Sequence, residues 1–169
     1  MAKPVRSASS FDAAASPSIV AGIGCRRGAD AAEIIALVEG ALLAAGRPSS
    51  ALVALASLDR KADEPGLVAA AMYFGVRVRT FTADELVNAV AGSPVVHALV
   101  ATPSVAEAAA IKAGPLILRK IKSAHVTCAL AATDANFDPS RFGQAVPGTA
   151  PASTATIAAS RSLTSNAGP

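Results

Sequence analysis

Apolar and polar positions along the chain repeat with two different periods, and together they predict strands alternating with helices. Short apolar runs bounded by glycine, proline or charged residues are typical of buried strands. The predicted strands are 19–23, 52–56, 76–81, 116–118 and 126–130. The 76–81 run alternates valine with arginine, which predicts one buried face and one face that meets water or a ligand. Longer stretches with apolar residues three and four apart predict helices beginning near residues 30, 65, 82 and 104. Residues 95–100 fit a strand or a helix equally well.

The ends of the predicted helices are marked by capping residues. Three helices begin with a capping box, in which an acceptor side chain is followed three positions later by a glutamate. The pairs are Asp30 with Glu33, Thr82 with Glu85, and Ser104 with Glu107. Asp63 is the expected cap of the helix that begins at Pro65, and Gly75 is its expected end. Capping accounts for Ser104 without any role as a nucleophile.

Strands that alternate with helices predict an α/β fold. We expect a three-layer α/β/α sandwich with a mixed, mainly parallel sheet of about five strands, whose last two strands form a hairpin across residues 120–123. The predicted domain is 18–133. Residues 1–17 are a predicted disordered leader and residues 134–169 a predicted disordered tail, because small and polar residues dominate both without apolar periodicity.

Composition narrows the classes of protein to which the chain can belong. Hydrophobic residues make up 52% of the sequence but aromatic residues only 4%, so the core is expected to consist of alanine, valine, leucine and isoleucine. The net charge of +3 comes from basic residues spread along the chain, which disfavours nucleic-acid binding. No apolar run approaches the roughly 20 residues that span a bilayer. Two cysteines and no apolar leader predict a cytoplasmic protein, and neither a metal nor a cofactor is expected.

The turn after the first predicted strand is the strongest candidate for a binding site. It contains Gly22, Gly24, Cys25, Arg26, Arg27 and Gly28. Glycines let a ligand approach the backbone, a helix N-terminus follows, and arginine suits carboxylate or phosphate groups. The GxGxxxG spacing disfavours a dinucleotide, and so does the lack of an acidic residue at the end of the second strand at the distance that a ribose contact needs. We therefore predict an anion site of the carboxylate or phosphate kind, and the alternative is that the glycines serve only a tight turn.

A second polar loop, residues 59–66, is expected beside the first, because ligands of α/β sheets bind beyond the carboxyl ends of the strands. Asp59 is a candidate general base, and Lys61 is a candidate cation for stabilising an oxyanion. Asp63 and Glu64 are candidate ligand contacts, although capping and the helix dipole also explain them. The alternative for the cluster is that its carboxylates pair with the arginines of the first turn.

Cys25 has two interpretations. The helix that follows and the nearby cations favour a reactive thiolate. No base is evidently paired with this cysteine: His97 and His125 are far apart in sequence, and a pair of Cys25 with either histidine cannot be inferred without geometry. A small buried residue at the end of a strand is therefore the interpretation that we favour.

Four stretches, taken in order, resemble one known family. They are Gly22-Ile-Gly-Cys-Arg-Arg-Gly28, Leu55-Ala-Ser-Leu-Asp-Arg-Lys-Ala-Asp-Glu-Pro-Gly-Leu67, Pro103-Ser-Val-Ala-Glu-Ala-Ala-Ala110 and Val126-Thr-Cys-Ala-Leu-Ala131. Over residues 19–132 the chain resembles the CobE / CbiG C-terminal family of cobalamin biosynthesis. One departure is Ala101, where the resemblance implies glycine.

The resemblance implies a role in cobalamin biosynthesis and a corrinoid or precorrin ligand, whose carboxylates suit Arg26, Arg27 and Lys61. Larger members of the family are cobalt-precorrin-5A hydrolases, which open a lactone on the macrocycle and release acetaldehyde. This chain is similar to the stand-alone members. Three hypotheses follow: binding of a corrinoid intermediate by the 22–28 and 59–66 loops, lactone hydrolysis with Asp59 as base, or docking on a pathway enzyme as an accessory protein.

Overall fold

The computed structural model of the chain describes residues 17–92 and 104–146, which contain six strands and four α-helices. The strands are β1 (Ile19–Cys25), β2 (Leu52–Leu58), β3 (Arg77–Phe81), β4 (Leu116–Lys122), β5 (Val126–Ala132) and β6 (Gln144–Ala145). The helices are α1 (Ala31–Ala44), α2 (Pro65–Phe74), α3 (Ala83–Ala91) and α4 (Val105–Ile111). A turn of 3-10 helix precedes β2 and another follows it, at Ser49–Ala51 and Asp59–Lys61.

The strands form one mixed sheet in the order β4-β5-β1-β2-β3-β6. β1 is parallel to β2, and β2 is parallel to β3. β5 is antiparallel to both β1 and β4, and β6 is antiparallel to β3. Four of the six described strands therefore run in the same direction. The expected α/β fold with a mixed sheet is confirmed, with six strands in place of about five.

Helices cover both faces of the sheet, as a three-layer sandwich requires. α1 and α2 pack on one face, where branched side chains such as Ile34, Val38 and Leu67 fill the core. α3 and α4 pack on the other face. Between α4 and β5 the buried contacts are made by alanines. Such small side chains let α4 lie close to the sheet, as the low aromatic content predicts.

The helix ends follow the predicted caps with two exceptions. Complete capping boxes form at α3 and α4, as predicted. At α1, Asp30 accepts a hydrogen bond from the backbone nitrogen of Ala32 at 3.2 Å, but Glu33 bonds to a distant turn, so the box is incomplete. The predicted Asp63 cap of α2 is wrong: the N-cap residue is Glu64, and its side chain does not cap the helix. Pro65 occupies the first helical position, which makes the residue directly before it the cap.

Residues 134–146 fold onto the sheet, in contrast to the predicted disordered tail. Phe142 is buried, and its ring centroid lies 4.9 Å from that of Phe81 in an edge-to-face contact. The ring of Phe137 lies 5.1 Å from that of Phe142. β6 then pairs with β3. The small and polar composition of this segment conceals two aromatic side chains, which supply enough apolar area to hold it.

Three further predictions concern the second half of the chain. β4 extends to Lys122, so the hairpin turn lies at residues 123–125 instead of 120–123. Residues 95–100 and Ala101 lie outside the described residues.

Within the described part of the chain, no helix is long and apolar enough to cross a membrane.

Candidate functional site

One edge of the sheet collects the polar loops of the fold. β1, β2 and β3 end at this edge, which we call the carboxyl edge, and α1, α2 and α3 follow them in turn. α4 begins at the same edge, because a Cβ atom on Gly24 would lie 3.7 Å from the backbone nitrogen of Ala106. The β4–β5 turn is also there, since Val126 pairs with Cys25. The N-termini of all four described helices, which carry partial positive charge, therefore lie at one edge.

The two predicted loops meet at the carboxyl edge. Gly66 approaches the carbonyl oxygen of Ala29 so closely that a Cβ atom on residue 66 would overlap it. Glu64 is buried; its Oε1 accepts from the backbone nitrogen of Gly28 at 2.5 Å, and its Oε2 lies 3.8 Å from Nζ of Lys61. Both carboxylate oxygens thus have partners inside the protein. Glu64 therefore joins the two loops, which gives it a structural role, and its contact with a ligand stays a prediction.

Gly22 and Gly24 are required by packing. Gly22 is buried, and a Cβ atom there would overlap the carbonyl oxygen of Ala106 in α4. A Cβ atom on Gly24 would lie 2.6 Å from Oγ1 of Thr127. Gly22 therefore faces a helix, which gives this glycine a structural role, and its contact with a ligand stays a prediction. Gly28 is exposed and has a φ of +75°, which favours glycine, so its backbone is accessible at the turn.

A hollow of about 330 Å³ opens between the first turn and the β4–β5 turn. We call it the cationic hollow, and its charged or polar lining residues are Arg26, Lys122, Ser123, His125 and Thr127. The backbone nitrogen of Arg26 donates to the carbonyl oxygen of His125 at 2.9 Å, which joins its two sides. The side chains of Arg26 and Arg27 are exposed, and among the described residues neither forms a salt bridge. The expected alternative, pairing with carboxylates of the second loop, is not observed in this part of the chain.

Glu33 fixes the β4–β5 turn against α1. Its Oε1 accepts from the hydroxyl of Ser123 and from the backbone nitrogen of His125, the latter at 2.8 Å. Its Oε2 lies 3.2 Å from Nδ1 of His125. The hydrogen bond from Ser123, followed by that from the His125 backbone, holds the pKa of Glu33 below its ordinary value. This carboxylate therefore braces one wall of the cationic hollow.

Cys25 is half-buried beside the loop junction. Burial raises the pKa of its thiol, whereas the charge of Lys61 opposes this shift and that of Glu64 adds to it. A raised pKa keeps the group protonated near neutral pH, so the structure favours the interpretation of Cys25 as a small residue at the end of a strand.

The two candidate catalytic groups have partners within their own loop. Asp59 is exposed, and its Oδ1 accepts from the backbone nitrogen of Arg60 at 2.7 Å. Lys61 lies beside Glu64. Asp63 is exposed at the surface of the same loop. Within residues 17–92 and 104–146, the structure brings this loop against the first turn, while Asp59 and Lys61 each contact a neighbour in their own loop.

A second hollow of about 330 Å³ lies between α3 and α4 at the carboxyl edge. We call it the apolar hollow, because its walls are mainly Leu58, Leu86, Val87, Val90, Val105 and Ala108. Arg60 and Ser104 add polar atoms to this lining. Oγ of Ser104 accepts from the backbone nitrogen of Glu107 at 3.3 Å, which confirms the capping box at this helix. Ser104 thus lies at a hollow while capping α4.

Three further residues line these hollows, and the sequence pattern does not mark them as binding residues: Arg60, Lys122 and His125. Arg60 belongs to the predicted loop, but it reaches the apolar hollow only because α3 and α4 pack beside that loop, which the sequence pattern does not reveal. Lys122 and His125 reach the first turn because β5 is antiparallel to β1, which brings the preceding turn to the carboxyl edge. A prediction that the final hairpin pairs with the first strand would have placed Lys122 and His125 at this site. Within residues 17–92 and 104–146, no group of three or more His, Cys, Asp or Glu could hold a metal ion.

Comparison with known sequences identifies relatives of the chain. A family model described as cobalamin synthesis G C-terminus matches residues 19–131. Protein CobE from Sinorhizobium sp is 41% identical in a match of 125 aligned positions, and the match covers 69% of this chain and 81% of that protein.

Solved structures share the same fold. The crystal structure of CobE, a protein from the cobalamin (vitamin B12) biosynthetic pathway, matches with a TM-score of 0.60 and 35% identity over 70% of this chain and 92% of that one. Cobalamin biosynthesis protein chiG from Agrobacterium tumefaciens str. C58 matches with a TM-score of 0.56 and 35% identity over 69% and 98%. A cobalamin biosynthesis protein G homolog from Sulfolobus solfataricus matches with a TM-score of 0.55 and 27% identity over 70% and 37%. Sequence motifs, family match and fold agree, and the chain belongs to the CobE / CbiG C-terminal family of cobalamin biosynthesis proteins.

Proposed function

We propose that this protein binds a carboxylate-rich corrinoid or precorrin intermediate at the carboxyl edge of its sheet. The observation that carries the proposal is the cationic hollow, where Arg26, Lys122 and His125 face a common space. Arg26, which lines the hollow, and its neighbour Arg27 are both exposed, with no salt bridge to any described residue. A charged hydrogen bond to a carboxylate contributes roughly 1.5–3 kcal/mol, so a few of them hold an acid-bearing ligand firmly.

The two hollows differ in chemistry, and a corrinoid has both kinds of surface. About 330 Å³ is at the small end of the range for ligand pockets. The cationic hollow therefore suits the acid side chains at the periphery of the ligand better than the whole macrocycle. The apolar hollow offers aliphatic contacts to the flat ring, and Arg60 in its lining offers a further contact to a carboxylate. Both lie at the carboxyl edge, where positive helix ends also favour an anion.

Binding is favoured over lactone hydrolysis by the positions of the candidate catalytic groups. A general base and an oxyanion donor must converge on the reacting atoms. Asp59 is exposed and accepts from its own neighbour, while the ammonium group of Lys61 lies beside Glu64. We therefore assign the loop around residue 59 to shaping the site, and assign ligand contact to the arginines.

The proposal is tested by titrating the protein with hydrogenobyrinic acid and following the visible absorption of the corrinoid. We expect saturable binding that becomes at least about tenfold weaker in the Arg26→Ala/Arg27→Ala double variant, because charged hydrogen bonds are lost. The matched control is Arg47→Ala/Arg77→Ala, which removes two positive charges at the opposite edge of the sheet, after the end of α1 and at the start of β3. Its affinity should stay within about twofold of the wild type.

Two results would contradict the proposal. One is the absence of binding at low salt, and the other is an equal loss of affinity in the two double variants. Acetaldehyde release from a lactone-bearing precorrin, abolished in Asp59→Asn, would instead establish hydrolysis.

A further inference from the structure

β3 begins with two arginines that share one face of the sheet. Arg77 and Arg79 are two positions apart, so their side chains project from the same side of the strand. Arg77 is exposed, whereas Arg79 is only 3% exposed. Residues 137–142 cover this face, because Phe142 packs on Phe81, which projects from the same side of β3, and because Pro139 and Ser140 line one hollow with both arginines. The alternating sequence predicts that Arg79 faces water or a ligand, but the structure encloses its side chain.

The enclosed charge has no salt bridge within the described part of the chain. Nε of Arg79 is buried and has no hydrogen-bond partner. The nearby carboxylate is Asp138, whose Oδ1 accepts from the backbone nitrogen of Ser140 at 2.9 Å and from its hydroxyl at 2.6 Å. An arginine does not lose its charge in a protein, so a buried guanidinium without a partner is costly.

A hollow of about 240 Å³ adjoins these two arginines. It is lined by Val53, Gly75, Val76, Arg77, Arg79, Pro139 and Ser140. Val53 and Arg77 lie near the starts of their strands, so this hollow is at the edge opposite the carboxyl edge. It is therefore distinct from the cationic hollow.

Nearby negative groups neutralise only part of the positive charge that the two arginines bring to the hollow. Burial, and next the charge of Arg77, lower the pKa of Arg79, while Asp138 opposes this shift. Gly75 ends α2, and a helix C-terminus supplies about half a negative charge. Together with the full negative charge of Asp138, whose Oδ2 also lies 4.0 Å from Nε of Arg141, this is still less than the two positive charges of Arg77 and Arg79. The sequence outside residues 17–92 and 104–146 contains one acidic side chain, Asp12, so the chain offers few other carboxylates.

We propose that this hollow binds a small oxyanion, of the size of phosphate or a short carboxylate, between the guanidinium groups of Arg77 and Arg79. Guanidinium groups present paired donors that match two oxygens of such an anion. The site does not depend on the corrinoid proposal, because it uses other residues at the opposite edge.

The test measures thermal unfolding of the full chain with inorganic phosphate, and separately with acetate or succinate, against chloride at matched salt concentration. We expect at least one oxyanion to raise Tm in the wild type and equally in Arg26→Ala/Arg27→Ala. In Arg79→Met the apparent affinity should fall at least about tenfold. Without anion, Arg79→Met should unfold at the wild-type Tm or above it, because an unpaired buried charge has been removed. The phosphate and carboxylate arms identify which oxyanion is preferred.

A second variant keeps the test decisive if Arg79→Met folds poorly. Arg77→Met changes an exposed residue, and it too should weaken oxyanion binding at least about fivefold. The NMR resonance of the Arg79 Nε–H group, assigned by its loss in Arg79→Lys, should shift when the oxyanion is added to the wild type. The proposal is overturned if no oxyanion raises the wild-type Tm above chloride, or if Arg77→Met and Arg79→Met respond as the wild type does.

Discussion

Gly22 shows how one missing side chain sets the position of a helix. A Cβ atom there would overlap the carbonyl oxygen of Ala106, which belongs to the backbone and cannot rotate away. Gly22→Ala should therefore destabilise the fold by about 2 kcal/mol or more, through displacement of α4. Gly40 is the matched control, since it lies in α1 with open space around its Cβ position. Gly40→Ala should stabilise by about 0.5–1 kcal/mol, because alanine loses less conformational freedom in a helix.

Urea unfolding of the two glycine variants measures both effects. Equal changes in the free energy of unfolding would show that α4 does not depend on the close approach at residue 22.

Glu64 is the residue through which the two loops of the carboxyl edge are joined. Glu64→Ala removes its hydrogen bond from Gly28 and its ion pair with Lys61. We expect a loss of about 1–3 kcal/mol of stability, together with weaker corrinoid binding, because the first turn loses its support. Asp63→Ala, at the exposed neighbour, should change stability by no more than about 0.5 kcal/mol. A larger effect at Asp63 than at Glu64, measured by urea unfolding, would restore Asp63 as the cap of α2.

At the scale of elements, Glu33 joins α1 to the β4–β5 turn, and this contact predicts a dependence on pH. The pKa of Glu33 is lower in the folded protein, so its contribution to stability is present above the unfolded pKa and is lost as pH falls through the folded pKa. Glu33→Gln should therefore lower Tm at about pH 7 and have less effect at about pH 3. Glu39→Gln, on the exposed side of the same helix near Tyr73, is the matched control. A Tm difference for Glu33→Gln that is the same at both pH values would contradict this account.

The same element shows where local patterns stop being informative. Asp30 and Glu33 match a capping box by spacing, and the Asp30 half of it forms. The carboxylate of Glu33 bonds instead to residues about 90 positions away. Capping is decided within one helical turn, so sequence predicts it well, as at α3 and α4. A contact between α1 and a distant hairpin depends on strand order, which the local pattern does not contain.

For the whole molecule, the sequence predicts the fold class and the meeting of two loops, but only part of the chemistry. The carboxyl ends of parallel strands share an edge by geometry, so placing Arg26 near Lys61 needs no side-chain detail. The segment 134–146 is different: Phe142 packs on Phe81 through a return of the chain that no periodicity announces. Its return also encloses Arg79, which the sequence alone places on an accessible face. Which residues a returning segment covers depends on the assembled sheet, so the local sequence does not predict it.

The arrangement of the four described helices also affects how a ligand arrives. Their N-termini share one edge, and the partial positive charges of these ends are opposed there by carboxylates such as those of Asp30, Glu33 and Glu64. Attraction between this edge and the acid groups of the proposed ligand is therefore short in range, and added salt screens it over about 10 Å. The lifetime of the proposed complex should depend on short-range bonds to the arginines, so truncating them should speed dissociation more than it slows association.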